Sequence, residues 1–275
     1  MLAAFCSLKG SPGVTTMVTA IAARWPVQET PIMVEADPAG GDLAARFRLK
    51  ESPGLLSLAA AARRGSGPAL LRQHSQQLPG GLDVVVGPVG AEQAHKALSV
   101  LTSAGAAALR QAADHPGVAV LVDCGRADPD SSAMPIIRAA DAMILVARPQ
   151  DDALAHVAVK LHVVRQWSRK PCFVLVGDGH PTTEVSRVLG IPVLGRVPRD
   201  DKGAHVLSGR NRSRHTPMRS ALGHAASRIA QVVYTFGHHP STGVLPQDRA
   251  SMHEFSAPRD DAQRAPAPPR NGAVS

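Results

Sequence analysis

Lys9-Gly10-Ser11-Pro12-Gly13-Val14-Thr15-Thr16 is a run of small residues wedged between an apolar stretch, Leu2 to Cys6, and a helix-compatible one, Thr15 to Arg24. A loop that passes directly from strand to helix in this way aims backbone N–H groups and a helix N-terminus at anionic oxygens. Gly10 and Gly13 let the backbone wrap closely around such an anion, and Thr15 falls where a hydroxyl can ligate magnesium. A glycine-rich turn is weak evidence alone, because many strand-to-helix turns contain Gly and Pro. Its surroundings decide its meaning.

Working outward, short apolar runs recur at Pro31 to Glu35, Leu82 to Val86, Val118 to Val122, Ala142 to Ala147, Cys172 to Val176 and Pro192 to Val197. Between them Ala91 to Ala113, Asp151 to Trp167, Thr183 to Leu189 and Met218 to Phe236 carry helical patterns with few breakers. Apolar runs that alternate with helices predict an α/β fold of three layers, with a mostly parallel sheet covered on both faces. Two strand ends carry acids. Val120-Leu121-Val122-Asp123 is an apolar run closed by an aspartate, the pattern of a strand that holds magnesium through water. Glu35-Ala36-Asp37-Pro38-Ala39-Gly40-Gly41-Asp42 follows the second strand, and Asp37-Pro38 before a glycine pair also reads as a simple turn cap.

The phosphate loop resembles that of the ParA/MinD family of P-loop ATPases, whose deviant Walker A pattern is Lys-Gly-Gly-x-Gly-Lys-Thr-Thr/Ser, and the likeness continues to about Phe236. The resemblance implies a P-loop NTPase fold with ATP and Mg2+ as cofactors. It places Lys9, Gly10, Ser11, Pro12, Gly13, Val14, Thr15 and Thr16 around the phosphates and gives Lys9 the family's signature role of reaching a partner's nucleotide across an ATP-sandwiched homodimer. Asp37, in a segment similar to the family's Asp-x-Asp-Pro-x-Gly switch, would orient the attacking water, and with Thr15 and Asp123 it completes the candidate metal set. Asp178, at the position of the family's adenine-binding Asn, and Pro198 and Asp200, in a loop similar to Ile-Pro-x-Asp, are the candidates for the base.

Four departures qualify that likeness. Val14 replaces the second lysine, Ser11 a glycine, Glu35 the first aspartate of the switch, and Gly125-Arg126 a Pro-Pro pair. Loss of one charge-assisted contact to a triphosphate costs roughly 1.5–3 kcal/mol, about one to two decades of affinity. It costs transition-state charge more than ground-state binding, so weak or absent hydrolysis is expected. Arg126 is the loop cation considered as a replacement. The CpaE/TadZ branch of the family also lacks the second lysine, a kinship of the loop only.

The remaining composition bounds the partners. The 275 residues, 44% apolar, suit one α/β domain, 1–236, followed by a Pro-rich tail expected to be disordered, 237–275. That tail holds four acids and four arginines, which leaves the formal surplus of +8 on the folded part. Arg196, Arg199, Lys202, Arg210, Arg212, Arg214 and Arg219 form its densest basic stretch, a candidate for nonspecific DNA contact. Cys6, Cys124 and Cys172 read as reduced core thiols of a cytoplasmic protein, with no signal peptide and no membrane-spanning run. The expected function is an ATP-binding positional or regulatory switch acting as a homodimer on an unidentified protein partner. The alternatives are a nucleotide-free pseudo-ATPase scaffold and a DNA-binding partition protein.

Overall fold

In the computed structural model the described residues are 1–9, 12–103, 106–209 and 220–238. They belong to one unit of the chain, Met1–Thr242, and the second, Gly243–Ser275, lies outside them. Eight strands form one sheet: β1 (Leu2–Ser7), β2 (Thr30–Glu35), β3 (Gln76–Gln77), β4 (Asp83–Val85), β5 (Val118–Arg126), β6 (Ala142–Ala147), β7 (Pro171–Val176) and β8 (Val193–Val197), in the order β3-β4-β2-β5-β1-β6-β7-β8. Every pairing is parallel except that of β3 with β4. The expected mostly parallel α/β sheet is therefore present. β1 sits where the strand order reverses, with β5 on one side and β6 on the other, so the loop after β1 opens at the crevice where such sheets bind ligands.

Both faces are covered because side chains alternate along each strand. Leu2, Ala4, Cys6, Ile32, Val34, Val120, Val122 and Cys124 enter one core with α3 (Leu55–Ala61), α5 (Ala91–Thr102), α6 (Ala107–Ala113), α7 (Met134–Ala139) and α8 (Asp151–Trp167). The other face meets α1 (Val14–Ala22), which touches β1, β2 and β5, and α11 (Ala221–His238), which touches β6 and β8. Phe5, Glu35 and Asp123, neighbours in register across β1, β2 and β5, have the parity of this second face. Two carboxylates are thereby fixed against α1 by the same alternation that fills the core.

The helix expected over Ala91 to Ala113 is two helices. Ala106, at φ 61, is left-handed, a conformation no α-helix continues through. The expected C-terminal helix starts at Ala221 and continues to His238, and residues 239–275 of the predicted tail lie outside the described residues. Between β2 and β4 the chain makes α2 (Leu43–Phe47), α3 and α4 (Pro68–Gln73), each too short to leave a clear helical period in a stretch cut by Gly and Pro. α9 (Thr182–Leu189) and α10 (Asp201–Leu207) flank β8 in the chain. All three cysteines are buried free thiols, and burial pushes the Cys6 thiol up to about 12. Among the described residues no helix is long and apolar enough to cross a membrane.

Candidate functional site

The site starts at Gly13, which caps α1 at φ 92. A Cβ there would meet nothing within 4 Å, so the residue faces open space. Among the described residues no side chain caps the helix, so its first-turn N–H groups are left to a ligand or solvent. Pro12 and Val14, on either side, are buried, and Thr15 and Thr16 are half-buried. The position of the family's second lysine is thus packed inward. Gly10 and Ser11 lie outside the described residues.

Asp123 is fully buried. Its Oδ1 accepts the Gly125 N–H at 3.0 Å, while among the described residues Oδ2 has no hydrogen-bond partner. Burial pushes its carboxyl up to about 6, opposed by the Thr15 hydroxyl beside it and by the Gly125 N–H. A buried carboxylate oxygen without a donor is costly unless something of opposite charge occupies its other side. Thr15 and Asp123, expected from the sequence to share a metal, are therefore together.

Asp37 joins them through Gly125. Its Oδ1 accepts the Ala39 N–H at 2.8 Å, an Asx turn that draws the carboxylate back over the end of β5. There the Asp37 carboxyl occupies the space a Cβ on Gly125 would take, and Gly125 adopts φ 58. Proline, which fixes φ near −65° and has no N–H, fits neither the backbone nor the bond to Asp123. The departure at Gly125 is thus coupled to the placement of Asp37. Burial raises the Asp37 carboxyl, and Asp42 raises it further.

Glu35 holds the backbone around the acids. Its Oε1 accepts the N–H groups of Asp42 (2.7 Å) and Leu43 (3.0 Å), and its Oε2 that of Gly87 (2.9 Å). The additional methylene relative to aspartate lets one carboxylate clamp the start of α2 to the end of β4. Only 1% exposed, Glu35 is pushed up to about 7 by burial, against the pull of those three bonds. Arg46, one turn into α2, donates from Nη2 to Asp42 Oδ2 at 2.6 Å, and its charge helps hold Asp123 down. Its Nη1 is buried without a partner among the described residues. No motif marks Arg46 in the sequence, and its place follows only from the packing of α2.

The other candidates spread along the rim. Lys9 pairs with Asp152 at 3.1 Å in the first turn of α8, and that bond lowers the Asp152 carboxyl. With Pro12, Leu145, Asp152, Val157 and Phe173 it lines a cavity beside the loop. Asp178 and Pro198 are exposed at the ends of β7 and β8. Asp200 instead accepts the Gly203 N–H at 2.8 Å and the Leu222 N–H at 3.0 Å, bonds that cap α10, tie it to α11 and lower its carboxyl. Arg126 is exposed.

In the basic stretch Arg196 donates to the carbonyls of Gly179 and His180, and Arg199 pairs with Asp201 at 3.2 Å. Lys202 is exposed, whereas Arg210, Arg212, Arg214 and Arg219 lie outside the described residues.

No protein-family model and no curated protein sequence matches the chain. Its fold is similar to that of a ParA family ATPase from Chlorobium tepidum TLS, at 20% identity over 83% of this chain and 97% of that one, with a TM-score of 0.63. It is similar also to the septum site-determining protein MinD of Pyrococcus horikoshii OT3 complexed with Mg-ADP, at 19% identity, 84% and 95% coverage and a TM-score of 0.64. The ATP complex of a Cyanothece McdA variant matches at 14% identity, 86% and 96% coverage and a TM-score of 0.60. The chain therefore has the α/β fold of the ParA/MinD ATPases.

Proposed function

We propose that the protein is a ParA/MinD-like switch that binds ATP with Mg2+, dimerises around the nucleotide, hydrolyses it slowly or not at all, and reports its state to a protein partner. The observation that carries this reading is Asp123 Oδ2, a buried carboxylate oxygen that has no partner among the described residues, beside the Thr15 hydroxyl at the start of α1. Among the described residues no group of three or more His, Cys, Asp or Glu forms a metal cage. That suits magnesium, which uses one or two carboxylates together with substrate phosphates and waters.

Gly13 and the first turn of α1 bind phosphate oxygens, and Thr15 and Asp123 hold the ion. Bound magnesium would neutralise charge on the phosphates. Asp37, held by Ala39 over the end of β5, orients a water toward them. With a buried valine at position 14, that position of the loop brings no lysine to the phosphates, which supports slow turnover. Lys9 exchanges Asp152 for a partner's nucleotide when two copies meet, and Asp178 and Pro198 flank the base. The reduced thiols favour a cytoplasmic setting.

Calorimetry of purified protein with ATP and ADP, with and without magnesium, tests the reading. Magnesium-dependent ATP binding weakened by Lys9→Ala supports it, and absence of binding to millimolar nucleotide removes it. The buried Val14 specifically favours a second reading, a scaffold on a retired ATPase fold. Binding gained only in Val14→Lys selects that one. The exposed Lys202 leaves the DNA-binding alternative to a retention assay in which the seven basic residues are reversed.

A further inference from the structure

Among the described residues two buried side-chain polar atoms lack a hydrogen-bond partner, and they complement each other: the acceptor Asp123 Oδ2 and the donor Arg46 Nη1. Both belong to one neighbourhood. Asp42, which bonds Arg46 through its side chain, bonds Glu35 through its N–H, and Glu35 stands in register with Asp123. The Arg46 charge acts on Asp123, yet no bond joins the two side chains.

A guanidinium N–H and a carboxylate oxygen that are both dry and not bonded to each other are each costly as they stand. A direct salt bridge would satisfy both, and the packing does not make it. The backbone carbonyl of Arg46 lies where a Cβ on Gly209 would go, so α2 packs closely there, and Asp42 holds the other arm of the fork. What satisfies the pair is a group presenting a cation to Asp123 and an anionic oxygen to Arg46. A magnesium ion on a phosphate has that polarity.

We propose that Arg46 is a phosphate-binding residue of the site and supplies from α2 the positive charge that Val14 cannot supply from the loop. The assignment rests on the nucleotide reading above and adds a residue to it. A planar guanidinium suits phosphate oxygens, and an arginine stays charged even when partly buried. Arg126, the cation at the departure from Pro-Pro, is exposed.

The test is calorimetry with Mg-ATP and with magnesium tripolyphosphate on the full chain, comparing wild type, Arg46→Ala, Arg46→Met and the double variant Val14→Lys/Arg46→Ala. Thermal midpoints of the ligand-free proteins serve as the folding control. Arg46→Ala is expected to weaken both ligands about ten- to hundred-fold. Arg46→Met, which keeps the apolar stem, should lose as much, and Val14→Lys should restore most of the affinity in the double variant, which loss of a purely structural arginine would not allow. Wild-type affinity in either Arg46→Ala or Arg46→Met overturns the assignment, a water then joining the two atoms, and leaves the nucleotide reading intact. A wild type that binds neither ligand removes both.

Discussion

The two sides of the crevice are built differently. On the β2–β5 side, Glu35, Asp37, Asp123 and Gly125 interlock through backbone bonds and a contact that only glycine permits. On the β6–β8 side, Lys9 rests on an exposed aspartate and Asp178 and Pro198 face solvent. Buried groups that satisfy one another hold their positions closely, whereas an exposed ion pair exchanges readily with water. Under the proposed reading the first side takes the small ion and the phosphates, and the second the base or a second protein that arrives and leaves.

That contrast breaks most readily at Gly125. Gly125→Ala places a methyl on the Asp37 carboxyl and a side chain at φ 58, and should cost about 2–4 kcal/mol, lowering the thermal midpoint by about 5–15 °C. The double variant Asp37→Ala/Gly125→Ala should regain the part due to the clash and retain the part due to φ. Additive losses in that cycle would mean that the two residues are not coupled.

Next is pH. The folded-state value of Glu35, about 7, lies above its ordinary 4.5, so folding takes up a proton between those values. The ligand-free protein should therefore gain stability as pH falls from 7 toward 4.5, by at most about 3 kcal/mol from this group. Asp123, at about 6, contributes with the same sign. Denaturant titrations across that range, repeated on Glu35→Gln, should show the slope flattened in the variant, and an unchanged slope would assign it elsewhere.

Asp200 sharpens the comparison, because it is a packed acid on the open side. Asp200→Ala removes the cap of α10 and the bond to Leu222, and should cost about 1–2 kcal/mol, or about 2–6 °C in the midpoint. If nucleotide affinity falls while the midpoint stays, its carboxylate serves the ligand rather than the helices. Smallest in stability is Lys9→Ala, which should leave the midpoint unchanged in differential scanning calorimetry, since both partners of its ion pair are exposed. A lowered midpoint would make Lys9 a structural residue.

The sequence by itself determined the alternation of strands and helices, the parallel sheet and the placing of Gly13 and Thr15 at a strand-to-helix turn and of Asp123 at the close of an apolar strand run, because these follow from apolar periodicity and local turn chemistry. It also marked Val14 and Gly125 as departures without saying what either does. The tertiary structure alone decided that Gly125 makes room for Asp37, that Glu35 clamps three N–H groups, that Asp200 ties α10 to α11, and that Arg46, far from Asp123 along the chain and in a short helix without a motif, shares its neighbourhood. Those relations are contacts between distant segments, and a contact set by how helices settle on a sheet leaves no period in the chain that makes it.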